Sequence, residues 1–155
     1  MLHPVCPYCG RPATLFNGGA ILILATKARA HKFWACPPCD AYVACHRKGH
    51  PIFMKKGKVV ISDGTYPLGS LANEALRTLR QRTHGVFDPL WKDVKIENTS
   101  RAARAKVRTK AYSWLAALMN LPVSNCHIGM FDEEQCLRAI EFCKNELGYR
   151  KMDAK

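Results

Sequence analysis

The sequence predicts an α+β fold in which an N-terminal ribbon with a small antiparallel sheet is followed by a C-terminal three-helix unit. Three observations predict it. Two CxxC pairs, Cys6-Pro7-Tyr8-Cys9 and Cys36-Pro37-Pro38-Cys39, stand with 26 residues between them. Short β-prone runs separated by turn residues fill the chain to about residue 62, and beyond it apolar residues recur at helical spacing behind capping signals. A chain of 155 residues has room for a small metal-stapled unit joined to a helical one. The expected division is a ribbon domain over 1–62 and a helical domain over 63–155 packed on it.

The cysteine pairs carry the strongest chemistry. Each CxxC turn brings two sulfurs to one metal from a tight loop, and two such turns complete the tetrahedron that zinc prefers. Cys6, Cys9, Cys36 and Cys39 are therefore the expected ligands of one structural Zn2+, with no coordination position left for catalysis. The alternative is two disulfides or buried thiols. The start, Met1-Leu2-His3-Pro4, has neither the basic nor the apolar region of a signal peptide, so a reducing, cytoplasmic compartment is expected and zinc is preferred. Cys45, His46 and His50 offer an incomplete second metal set, or a substitute ligand for the first.

Taken in order, Ala13 to Phe16 and Ala20 to Ala25 read as strands joined across Asn17-Gly18-Gly19. Lys32 to Ala35 leads into the second cysteine turn. Pro51 to Met54 and Val59 to Ile61 read as a strand pair whose tip, Lys55-Lys56-Gly57-Lys58, is either a solvated turn or a phosphate contact. Asp63 to Gly69 is rich in structure breakers. Ser70 then caps a predicted helix from Leu71 to about Thr83, with Arg77, Arg80 and His84 on its polar face and Gly85 as its stop. Phe87-Asp88-Pro89-Leu90-Trp91 reads as an aromatic turn packed under the next helix.

That helix runs from Arg101 to about Asn120 behind a Thr99 or Ser100 cap, and Pro122 blocks its continuation. Ala103, Val107, Ala111, Trp114 and Leu118 form its apolar stripe. Arg101, Arg104 and Arg108 lie along one flank, Lys106 and Lys110 along the other. Asp132 to Gln135 forms a capping box for the last helix, with Phe131 stapled onto Cys136 and Gly148 as the stop. Cys136, Ile140, Cys143 and Leu147 share its apolar face.

The net charge is +12, and its distribution is uneven. Residues 1–60 hold nine basic side chains and one acidic, and residues 101–125 hold five basic and none acidic. Such concentrations point to a polyanionic partner, DNA or RNA, with Arg47, Lys48, Lys55, Lys56 and Lys58 on the ribbon and Arg101, Arg104 and Arg108 on the helix as phosphate contacts. Tyr8, Phe33, Trp34 and Tyr42 are candidates to stack on bases, although for each alone a place in the small core is preferred. The longest apolar run is too short to span a bilayer, so no membrane partner is expected. No phosphate-binding glycine loop, nucleophile elbow or zinc-protease helix is present, which disfavours an enzyme. Cys126 and His127 are adjacent in sequence and lack an orienting acid, so a core or helix-entry role is preferred to a catalytic pair.

The ordered segments CPYCG, WACPPCDAYVACH, PLGSLANEALRTLR, HGVFDPLW, AYSWLA and CHIGMFDEEQC resemble a family of small zinc-finger-containing proteins of unknown function found in tailed phages and prophages. The similarity covers about residues 4–145. The resemblance implies a zinc-binding N-terminal part using Cys6, Cys9, Cys36 and Cys39, a helical C-terminal part, and a phage-encoded protein of the bacterial cytoplasm. It implies no activity. The function expected is therefore a non-enzymatic nucleic-acid-binding accessory protein of phage replication, recombination or transcription; the alternative is an interaction module that binds and inhibits a host or defence protein.

Overall fold

The computed structural model describes residues 3–18, 31–53, 58–95 and 100–153. The fold mixes small antiparallel sheets with helices, and the chain divides into two compact units, Met1–Ala75 and Leu76–Lys155.

In the first unit, β1 (Thr14–Asn17), β2 (Lys32–Cys36) and β3 (Ala41–Ala44) form an antiparallel sheet in that order. The register aligns Leu15, Trp34 and Val43 across the three strands. Because side chains alternate along a strand, this row lies on one face, where it packs with Cys6, Ala13, Cys36, Ala41, Cys45 and Leu71 in a small core. The described partner of β1 is β2; the expected strand Ala20 to Ala25 lies outside the described residues. A separate hairpin pairs β4 (Pro51–Phe53) with β5 (Val59–Ile61), as the alternation predicts.

The breaker-rich stretch after β5 is tied to the sheet. Trp34 Nε1 donates to the Thr65 carbonyl at 2.7 Å, and Cys45 and Tyr42 form bridges with Pro67 and Ala72. Those bridges correct the helix start. Tyr42 and Ala72 exchange backbone hydrogen bonds of 3.0 and 3.2 Å, which hold Ala72 extended, so α1 begins at Glu74 rather than after Ser70. Nor does Gly85 stop it: α1 (Glu74–Phe87) runs through, since one glycine costs a helix only about 1 kcal/mol.

The second unit packs α1 with a short α2 (Pro89–Lys92), α3 (Arg101–Met119) and α4 (Glu133–Asp153). Ser100 caps α3 by accepting the Ala103 N–H, and Asn120, left-handed at φ 53°, ends it. The expected stripe on α3 is displaced by one position. Tyr112, Leu115, Ala116 and Met119 are the buried residues, whereas Ala103, Val107, Ala111 and Trp114 are half-buried and Leu118 is exposed. Two neighbouring stripes both satisfy helical spacing; the one that packs is the one on which Phe87 meets Tyr112, with ring centroids 4.5 Å apart. Arg80 likewise leaves its expected polar face. It is buried and donates from Nε and Nη2 to the Phe131 carbonyl at 2.8 and 2.6 Å.

The capping box forms as expected: Asp132 N–H donates to Gln135 Oε1 and Gln135 N–H to Asp132 Oδ1, at 3.1 and 2.8 Å. Phe131 and Cys136 beside it are fully buried. Gly148, however, does not end α4, which continues to Asp153.

Candidate metal centre

Each cysteine pair occupies the tip of a hairpin of the same design. In the first, Val5 bridges Pro12, Cys6 N–H donates to the Arg11 carbonyl at 2.9 Å, and Gly10 N–H closes the turn onto the Cys6 carbonyl at 2.9 Å. In the second, Cys36 pairs with Ala41 between β2 and β3, and Asp40 N–H closes onto the Pro37 carbonyl at 3.1 Å. The residue after each second cysteine is left-handed: Gly10 at φ 71° and Asp40 at φ 45°. Glycine adopts that conformation without cost, and Asp tolerates it better than most residues.

These turns bring Cys6, Cys9, Cys36 and Cys39 together, with all four sulfurs within 4.8 Å of one another. The Cys9 and Cys36 sulfurs are 3.6 Å apart. A tetrahedral zinc with Zn–S bonds of about 2.3 Å requires S–S separations of about 3.8 Å, so the set fits one structural zinc ion. Cys6 and Cys36 are buried, Cys39 is half-buried and Cys9 faces solvent.

Arg11 tunes one of these thiols. Its backbone and then its side chain hydrogen-bond Cys9, whose pKa is held at about 6, and Arg11's own pKa rises in return. Cys39 is pushed up to about 12, first by its hydrogen bond with Cys9 and then by burial. Burial likewise raises Cys36. A metal bound by four thiolates leaves a net negative cluster, and Arg11 stands where it offsets that charge. Sequence reasoning missed Arg11; a basic residue two positions past the first cysteine turn is the signal that was there to read.

Among the described residues, Cys45 and His46 are not part of the metal cluster. Cys45 is a core thiol pushed up to about 11 by burial. His46 stacks on His50 with centroids 5.1 Å apart, and burial followed by the charge of His50 lowers its pKa.

Residues 3–146 match a family described as a zinc-finger-containing domain. The chain belongs to this family. The match spans both units, so the zinc-finger-containing domain includes the helices as well as the cysteine hairpins. Neither a curated protein nor a solved structure matched the chain.

The expected phosphate contacts of this zinc-finger-containing domain fall into three groups. Arg47 and Lys48 are exposed at a turn whose Gly49 has φ 83°. The buried Ser62 pins that turn: its carbonyl accepts from Gly49, its N–H donates to His50, and its hydroxyl lies 3.4 Å from the His46 carbonyl. Lys58 is exposed next to β5, while Lys55 and Lys56 lie outside the described residues. On α3, Arg101 is exposed, Arg104 donates to the carbonyls of Lys92 and Val94 at 3.0 Å each, and Arg108 lies over the rings of Trp91 and Tyr112.

Other candidates receive structural roles. Phe33 and Trp34 are buried, and Tyr42 meets Phe33 edge-on, so the first two build the core instead of offering faces to bases. Cys126 is buried and pushed up to about 11, and His127 caps a 3-10 turn by accepting the Gly129 N–H at its Nδ1. No helix among the described residues is long and apolar enough to cross a membrane.

Proposed function

We propose that this protein is a non-enzymatic nucleic-acid-binding accessory factor, phage-encoded and acting in the bacterial cytoplasm, with zinc as scaffold for a phosphate-binding surface. The observation that carries the reading is the Arg47-Lys48 turn: two exposed cations on a turn anchored by buried Ser62, in the same metal-bearing unit as exposed Lys58. Fixing cations in this way lowers the entropy lost when they meet a charged backbone. On α3 of the second unit Arg101 and Arg108 are further candidate phosphate contacts, whereas Arg104 spends its guanidinium on backbone carbonyls.

The test is binding of zinc-loaded protein to labelled single-stranded DNA, duplex DNA and RNA over a salt series, beside an Arg47→Ala/Lys48→Ala variant. Two lost phosphate contacts should flatten the log K against log salt slope on duplex by about 1.8. Absence of binding at low salt by folded protein overturns the reading.

A second reading, a module that binds and inhibits a host or defence protein, is favoured by Val59 and Ile61, exposed on the β4–β5 hairpin at 49% and 61%. A packed interface of that kind changes little with salt, so the same series separates the two.

A further inference from the structure

The second unit holds an aromatic and cationic cluster that the zinc hairpins do not explain. It joins the HGVFDPLW segment, the middle of α3 and the CHIGMFD turn. Tyr112 lies at its centre: its ring is parallel to that of His127, 1° apart in plane with centroids 5.8 Å apart, and the Arg108 guanidinium carbon lies 5.3 Å from its centroid. The same guanidinium lies 5.8 Å from the Trp91 ring centroid. Asp88, the carboxylate of this cluster, is already engaged by Lys92 at 2.7 Å, Trp91 Nε1 at 3.2 Å and His84 at 3.4 Å.

Two features point to a ligand. Arg108 is exposed and its guanidinium lies over two aromatic rings, which restrict it while leaving it able to donate to a phosphate. Tyr112 is 7% exposed, and its buried hydroxyl, close to Arg108 and the Ile128 backbone, makes no hydrogen bond of good geometry. A buried polar group without a well-formed hydrogen bond is destabilising, a cost that side-chain adjustment around a bound anion would relieve. His127 adds a planar ring that is exposed on the protein surface and held in place by its Gly129 contact.

We propose that Trp91, Arg108, Tyr112 and His127 form a site for one unpaired nucleotide of a single-stranded nucleic acid, its phosphate on the Arg108 edge and its base stacked on His127. The inference rests on the nucleic-acid reading above and deepens it, giving the partner as single-stranded. Base stacking on an aromatic ring tolerates any sequence, so the site reads strandedness and not base identity.

The experiment compares wild type, Arg108→Lys and His127→Asn on a labelled thymidine oligonucleotide and on a duplex of the same length, with thermal unfolding as a control for fold. Lysine keeps the charge and loses the stacked planar edge; asparagine keeps an oxygen to accept the Gly129 N–H and loses the ring. Each variant should lose roughly fivefold or more on the single strand, with an unchanged salt slope for Arg108→Lys and less than about twofold change on duplex. Thymidine monophosphate should compete at concentrations where inorganic phosphate does not. Wild-type binding with either variant within about twofold of it on the single strand overturns this site and leaves the broader reading standing. Equal competition by inorganic phosphate also overturns it, and wild type that binds neither nucleic acid overturns both.

Discussion

The two units are of similar length but are held together by different means. Met1–Ala75 has a small core of Trp34, Leu71 and small residues, and two of the cysteines in that core, Cys6 and Cys36, are also metal ligands. Leu76–Lys155 has an ordinary apolar core in which Phe87, Leu115, Ile128, Phe131 and Cys136 are fully buried. The first is therefore a fold completed by an ion, and the second a fold completed by side-chain packing. Both contain cysteines, yet in opposite chemical states: the ligands must lose protons to bind zinc, whereas the buried thiols of the helical unit must keep theirs.

The largest expected effect follows directly. Chelation, or Cys36→Ser, should unfold the first unit, since structural zinc contributes on the order of 10 kcal/mol or more to such folds. Segment-resolved hydrogen exchange should show protection lost in β1 to β3 and retained in α3 and α4. Loss in both halves together would break the comparison. Next, Arg80→Ala should destabilise the helical unit by about 3 kcal/mol through loss of two hydrogen bonds to Phe131, read as a lower unfolding midpoint with zinc affinity unchanged.

The pH responses should run in opposite directions. Zinc is lost as pH falls, because protons compete for the four thiolates. In the helical unit, burial raises Cys126 from 9.0 to about 11 and Cys143 from 9.0 to about 12. The unfolded chain then ionises first, so the stability these thiols confer is complete below pH 9 and falls as pH rises from 9 towards 12. Unfolding of each half across pH, followed by exchange, checks both slopes. The smallest effects belong to the matched turns. Gly10→Ala meets no atom within 4 Å, so its cost is the left-handed backbone alone, about 1 kcal/mol, while Asp40→Gly at the corresponding position should be neutral or stabilising by a few tenths. Chelator competition with each variant measures both.

Legibility in the sequence followed the range of the interactions. The cysteine turns, the Ser100 cap, the Asp132–Gln135 box and the β4–β5 pairing were readable because each is made by residues close together in the chain. Apart from the helix stops expected at Gly85 and Gly148, the differences involve distant partners. The start of α1 was misplaced because Tyr42 holds Ala72 in a bridge, and Arg80 was misread because its acceptor is Phe131. Arg11 is an exception of another kind, since its main partner, Cys9, is only two residues away.

The sequence by itself determined the four thiol ligands, the α+β class and the two basic concentrations, since spacing, periodicity and charge are properties of the chain. Only the tertiary structure decided which α3 stripe is buried and which arginines keep their donors for a partner. Arg80 and Arg104 are committed to carbonyls while Arg108 is stacked on rings. Sequence cannot separate them, because the three share residue type and helical setting, and what differs is the neighbour that packing supplies.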